Sequence, residues 1–127
     1  MNVEGIHWVG VKTTDVRRMA EFFERVLGLR RRMAEDQFAI LDLPGGGELA
    51  LFGPEGPDPV FQFFSNQVEV GFDVSDLDAA IAELVEKGVE LLGEGGGDRE
   101  SGRWQHFRGP DGKVFEITEH PAHPTGS

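Results

Sequence analysis

The sequence contains no cysteine, so disulfide bonds, thiolate metal sites and a cysteine nucleophile are all excluded. No apolar run approaches the roughly 20 residues that a membrane-spanning helix needs. The segment Met1 to Gly5 also lacks the basic and apolar regions of a secretory signal. We therefore expect a cytoplasmic protein with no membrane partner.

Basic residues are scarce relative to acidic ones. Twelve Lys and Arg residues stand against 23 Asp and Glu residues, which gives a formal net charge of −11. Such a field repels phosphate backbones, so the composition argues against nucleic-acid binding. It favours a cationic ligand, although a large net charge also serves solubility.

An internal repeat organises the 127 residues, a length typical of one domain. Residues 9–29 and 70–90 each show an alternating strand pattern, an Asp, an amphipathic helix pattern and a glycine. The Val-Gly pairs and the Asp residues of the two segments match at an offset of 61. We predict a first module over about residues 4–54, a linker over 55–66, a second module over about 67–119 and a tail over 120–127.

The two predicted helices carry apolar stripes at helical spacing. The first stripe consists of Val16, Met19, Ala20, Phe23, Val26 and Leu27, and the second of Leu77, Ala80, Ile81, Leu84 and Val85. Thr14 or Asp15 is expected to cap the first helix. Ser75 with Asp78 resembles a capping box for the second helix. The polar, glycine-rich segment 93–102 reads as a loop.

Strand alternation assigns side chains to two faces of the predicted sheet. The helix-facing set is Val9, Val11, Val70, Phe72, Val74, Phe115 and Ile117. The opposite set is Trp8, Gly10, Lys12, Glu69, Gly71, Asp73, Val114, Glu116 and Thr118. We expect Trp8, Glu69 and Glu116 to line one shared cleft. If the two carboxyl groups face each other there, one should hold a proton more tightly than an ordinary glutamate.

Three segments of the chain resemble the vicinal oxygen chelate superfamily, which includes glyoxalase I, extradiol dioxygenases, fosfomycin-resistance enzymes and bleomycin-resistance proteins. They are FFERVLGL at 22–29, VSDLDAA at 74–80 and RGPDGKVFE at 108–116. The resemblance implies an α+β fold in which two βαβββ modules form a curled mixed sheet around a cleft, with the helices on the outer face. It also implies a homodimer, since short members of the superfamily usually pair.

Enzymes of the superfamily bind a divalent metal from four strand positions. Carried over to this sequence, those positions are Trp8, Ala50, Glu69 and Glu116. A two-residue register change would replace Ala50 with Glu48. His7 is adjacent to the first position, but alternation places it on the other face unless the first strand slips by one residue. Because Trp and Ala are not metal ligands, we expect no metal cofactor, with a divalent metal ion as the alternative.

These considerations favour metal-free binding of a small organic molecule, cationic or aromatic, as in bleomycin-resistance proteins. The expected ligand-binding residues are Trp8, Lys12, Ala50, Glu69, His106 and Glu116. The candidate catalytic residues are Glu69, Glu116 and His106, the last as a proton carrier. The alternative is a divalent-metal-dependent lyase, isomerase or dioxygenase of the glyoxalase type that uses Glu69 and Glu116. His120 and His123, in the proline-rich tail, are expected to have no role.

Overall fold

The computed structural model describes residues 1–55 and 67–120, which contain eight strands and two helices. The first module contains β1 (Val3–Lys12), α1 (Val16–Leu27), β2 (Arg30–Ala34), β3 (Phe38–Asp42) and β4 (Glu48–Phe52). The second contains β5 (Val68–Val74), α2 (Leu77–Glu86), β6 (Leu91–Asp98), β7 (Gly102–Arg108) and β8 (Val114–Glu119). The predicted linker from residue 56 onward and the tail from residue 121 onward lie outside the described residues. Neither helix is long and apolar enough to cross a membrane.

All eight strands form one mixed sheet in the order β2-β3-β4-β1-β5-β8-β7-β6. β1 pairs in parallel with β4, and β5 pairs in parallel with β8. The other neighbours within each module are antiparallel, and β1 meets β5 antiparallel at the centre. The two halves therefore repeat one topology, which confirms the predicted curled α+β sheet of two βαβββ modules.

Each helix is capped by an aspartate, and the two aspartates occupy equivalent positions in the sequence repeat. The carboxylate of Asp15 accepts a hydrogen bond from the backbone N–H of Arg18, and that of Asp76 accepts one from Ala79, both at 3.1 Å. These bonds satisfy amide donors of the first turn. The capping box expected at Ser75 is wrong by one residue, because Asp76 caps α2 instead.

The helices pack on one face of the sheet. Val9 and Val11 lie against the α1 cluster, and Phe72, Val74 and Ile117 lie in the α2 cluster, as alternation predicted. The α1 stripe is only partly buried, however. Its last two members, Val26 and Leu27, are exposed. Val85, the last member of the α2 stripe, is exposed as well.

The glycine-rich segment 93–102 is not the loop that its composition suggested. Residues up to Asp98 belong to β6, and β7 begins at Gly102. The short turn between them is held by Asp98 Oδ1, which accepts hydrogen bonds from the backbone N–H of Ser101 at 2.8 Å and of Glu100 at 2.9 Å. The Ser101 amide, the Ser101 hydroxyl and the Glu100 amide, in that order, hold the pKa of Asp98 below its ordinary value.

Candidate functional site

The face of the sheet opposite the helices, called the inner face below, has an apolar floor. Trp8, Ala50, Phe52 and Val114 form a buried cluster there, with Phe38 and Leu92 packed against it. These side chains come from both modules and share one face because their strand positions have the same parity. The strand pattern therefore brings the two halves of the chain together on one surface.

Trp8 occupies the middle of this floor. Its indole lies over Gly10, since a methyl group at Gly10 would come within 2.7 Å of the Trp8 ring and within 2.8 Å of Phe52. The Trp8 and Phe52 rings are nearly parallel, with centroids 6.4 Å apart. Only 9% of Trp8 is exposed. The absence of a side chain at Gly10 thus lets the indole fold onto the sheet.

Beside the indole, two carboxylates and an imidazole form a cluster, called the inner triad below: Glu69 of β5, His106 of β7 and Glu116 of β8. Their exposed fractions are 0%, 1% and 5%. His106 Nδ1 lies 2.6 Å from Glu69 Oε1, and His106 Nε2 lies 3.5 Å from Glu116 Oε2. Glu116 is the direct cross-strand neighbour of both His106 and Gly71. A methyl group at Gly71 would touch both Trp8 Cβ and Glu116 Oε1, so the triad borders the indole.

The charges of the inner triad do not balance within the triad. Two carboxylates carry two negative charges when ionised, and one imidazole supplies at most one positive charge. Removing such groups from water is costly unless each charge is compensated. A positively charged ligand group would meet two carboxylates here, and the longer of the two contacts to His106 is on the Glu116 side.

A second cluster, called the His–Glu–His cluster below, consists of His7, Glu48 and His120. Ligand atoms of these three half-buried residues lie within 4.8 Å of one another. The β1–β5 pairing shifts register between Ile6 and Trp8, so His7 is an extra residue in a β-bulge. Glu48 is the cross-strand neighbour of Trp8, and both therefore lie on the inner face. The bulge brings His7 to that same face, and the prediction that alternation would hide it is wrong.

Two of the superfamily's four ligand positions carry no metal-ligating side chain in this sequence. Trp8 and Ala50 pack in the apolar floor, and only Glu69 and Glu116 carry ligand atoms. Glu48, the alternative to Ala50, lies opposite Trp8. Its carboxylate groups with His7 and His120 rather than with Glu69. A different set of three ligand atoms, from the inner triad, does lie within 4.8 Å.

The remaining predicted site residue, Lys12, ends β1 opposite Phe52 and lies at the margin of the inner face. Sequence reasoning named His106 as a candidate proton carrier but gave it no partners, because its neighbours lie on β5 and β8. His120 was assigned no role, yet its Nδ1 lies 3.1 Å from Asp73 Oδ1. One indication of the position of His120 was present in the sequence: it continues the alternation of Glu116 and Thr118 just past the end of β8. His123 lies outside the described residues.

Comparison with known proteins agrees with this architecture. No curated protein matches the chain significantly. A solved methylmalonyl-CoA epimerase from Mycobacterium tuberculosis is 25% identical, over 95% of this chain and 90% of that chain, with a TM-score of 0.69. A Streptomyces coelicolor methylmalonyl-CoA epimerase variant in complex with 2-nitronate-propionyl-CoA is 23% identical, over 95% and 100%, with a TM-score of 0.66.

A glyoxalase/bleomycin resistance protein/dioxygenase superfamily member from Vibrio splendidus 12B01 is also similar. It is 21% identical over 90% of this chain and 98% of that chain, with a TM-score of 0.64. The model of the Glyoxalase/Bleomycin resistance protein/Dioxygenase superfamily matches residues 5–117, nearly the whole chain. The chain therefore belongs to the Glyoxalase/Bleomycin resistance protein/Dioxygenase superfamily.

Proposed function

We propose that this protein binds a small organic cation with an aromatic or flat apolar part on its inner face. The inner triad receives the positive charge, and the Trp8 indole receives the apolar part. The observation that carries the proposal is the buried arrangement of two carboxylates around one imidazole, directly beside an indole.

Charge compensation is the physical reason for the preference. Glu69 is held by His106 at 2.6 Å, whereas Glu116 lies 3.5 Å from the same ring. An ammonium or guanidinium group that approaches Glu116 is attracted by the carboxylates of Glu116 and Glu69. Its own loss of hydration is offset by the short-range pairing and by cation–π attraction to the indole. An anionic ligand would instead add a third negative charge.

The overall charge of the chain acts in the same direction. A net charge of −11 attracts cations toward the surface and repels polyanions. A coenzyme A thioester carries several phosphate charges, so this net charge disfavours such a ligand. We therefore do not extend the substrate of the epimerases to this protein.

Three probes of similar size test the proposal: benzylammonium, benzyl alcohol and benzoate. Their binding is followed by Trp8 fluorescence in a Trp104→Phe background and by calorimetry with untagged protein. We expect benzylammonium to bind at least about 10-fold more tightly than benzoate. Glu116→Gln should abolish most of that difference, because a hydrogen bond to a charged group contributes about 1.5–3 kcal/mol. Glu86→Gln, an exposed position on α2 with the same change in net charge, is the matched control.

Equal affinities for the three probes, or equal losses in Glu116→Gln and Glu86→Gln, would contradict the proposal. The first result would mean that the inner face does not select charge. The second would mean that any selection arises from the net charge of the chain and not from the inner triad.

A second candidate is a divalent-metal-dependent enzyme of the glyoxalase type, such as an isomerase. It is favoured by one observation, namely three ligand atoms of the inner triad within 4.8 Å. Glu69, His106 and Glu116 would hold the ion, which would supply positive charge for polarising an oxygen of the substrate. Stoichiometric metal in untagged protein that disappears in Glu69→Ala and Glu116→Ala would favour this candidate over the first.

We also propose that the chain acts as a homodimer in the cytoplasm. The pairing is supported by the superfamily resemblance and by exposed apolar side chains on α1, namely Phe22, Val26 and Leu27. The location is supported by the absence of cysteine.

A further inference from the structure

We propose that the His–Glu–His cluster is a separate binding site for a divalent transition-metal ion such as Zn²⁺, Co²⁺ or Ni²⁺. The proposal is independent of what the inner triad binds. It follows from the bulge at His7, which places a second imidazole next to that of His120 and within reach of Glu48.

The chemistry of the ligands selects the class of ion. Two imidazole nitrogens and one carboxylate oxygen suit borderline metals, whereas Mg²⁺ and Ca²⁺ prefer oxygen ligands alone. The imidazole rings of His7 and His120 are in face-to-face contact, with centroids 3.4 Å apart and planes tilted by 32°, and they rotate apart when both direct a nitrogen at one ion. Sites with three protein ligands leave a position for water or for another molecule.

Asp73 orients one of the two imidazoles. Its Oδ1 lies 3.1 Å from His120 Nδ1 and also accepts a hydrogen bond from the Thr118 hydroxyl at 3.2 Å. A carboxylate on one ring nitrogen fixes the tautomer, so that the proton lies on Nδ1 and Nε2 carries the lone pair. The His120–Asp73 pair is thus the type of arrangement that supports metal-ligating histidines.

Arg32 plays the corresponding role for the carboxylate ligand. Its guanidinium contacts Asp42 and donates a hydrogen bond to Glu48 Oε1 at 2.7 Å. With neutral imidazoles, the charged groups named here are Arg32 and the carboxylates of Glu48, Asp42 and Asp73. Their sum is −2, which a divalent cation neutralises.

The His–Glu–His cluster and the inner triad occupy different parts of the inner face. His120 follows Glu116 by four residues, about 13 Å along an extended chain. The two groups share no residue. A metal in one of them can therefore be distinguished from a metal in the other by substitution.

Zinc binding to untagged protein, measured by competition with a chromophoric chelator, tests the site. We expect one equivalent to bind, with no competition from millimolar Mg²⁺. His7→Gln and His120→Gln should each weaken binding by about 100-fold or more, and Asp73→Asn by about 10–100-fold. His106→Gln is the matched histidine control and should leave the affinity unchanged.

A measurement on the unaltered protein guards against variants that fail to fold. Zinc should shift the ring-proton NMR signals of His7 and His120 and leave those of His106 in place. Zinc that shifts only His106, or an affinity that falls in His106→Gln but not in His7→Gln, would overturn the proposal and assign the metal to the inner triad. Failure to bind one equivalent of zinc would overturn it as well.

Discussion

Replacement of His106 by leucine should expose the energetic role of the inner triad. The variant removes the imidazole that lies 2.6 Å from Glu69, a carboxylate with no exposed surface. Removing one partner of such a buried pair costs about 3–5 kcal/mol, because the buried carboxylate loses that hydrogen bond. For a domain whose unfolding free energy is about 5–15 kcal/mol, this is a large fraction of the total. The thermal midpoint should fall by roughly 10–20 °C.

The same reasoning predicts a partial rescue. Glu69→Gln added to His106→Leu removes a buried negative charge, so the double variant should recover on the order of half of the lost unfolding free energy. Chemical unfolding followed by circular dichroism measures both effects, with Glu86→Gln as a control expected within about 0.5 kcal/mol of the parent protein. A His106→Leu variant within about 1 kcal/mol of the parent, or losses that simply add in the double variant, would refute the reasoning.

Three further predictions concern other parts of the fold. Gly10→Ala should displace the Trp8 indole, lower the unfolding free energy by about 1–3 kcal/mol and shift the Trp8 emission in a Trp104→Phe background. The lowered pKa of Asp98, caused first by the Ser101 amide, stabilises the fold above the ordinary carboxyl value of 3.8, and this contribution is lost as the pH falls through the folded-state pKa. Asp98→Asn should therefore flatten the dependence of the thermal midpoint on pH between about 5 and 2.5. The expected homodimer should be visible by sedimentation, and Leu27→Glu should convert it to a monomer if the exposed end of α1 forms the contact.

Hydrophobic periodicity predicted much of the fold because it reports which face of each element is buried. The alternation of Val9 and Val11, and of Phe72 and Val74, placed both helices on the correct side of the sheet. It failed at His7, because a β-bulge adds one residue and shifts the alternation locally without any distinctive residue type.

Composition was misleading in the glycine-rich part of β6. A methyl group at Gly96 would come within 2.6 Å of the Trp104 ring, and one at Gly97 would approach that ring within 2.9 Å. The glycines therefore make room for an indole of the neighbouring strand while β6 keeps its pairing with β7. Sequence alone could not separate this use of glycine from a loop.

The side chains that contact the site residues were the least predictable feature of the structure. Parity put Glu69 and Glu116 on the inner face, but the 2.6 Å contact between Glu69 and His106 depends on how β5, β7 and β8 are arranged in the sheet. The link between His120 and Asp73 joins residues 47 positions apart at the end of β8. Such contacts join strands of the second module that are far apart in the chain, and they leave no local pattern.

A crystal structure of the untagged protein with benzylammonium is the most direct test of the proposed function. The account predicts the ammonium nitrogen within hydrogen-bonding distance of Glu116, with the aromatic ring against Trp8. Benzylammonium bound away from the inner triad, or a metal ion held there by Glu69, His106 and Glu116, would contradict it.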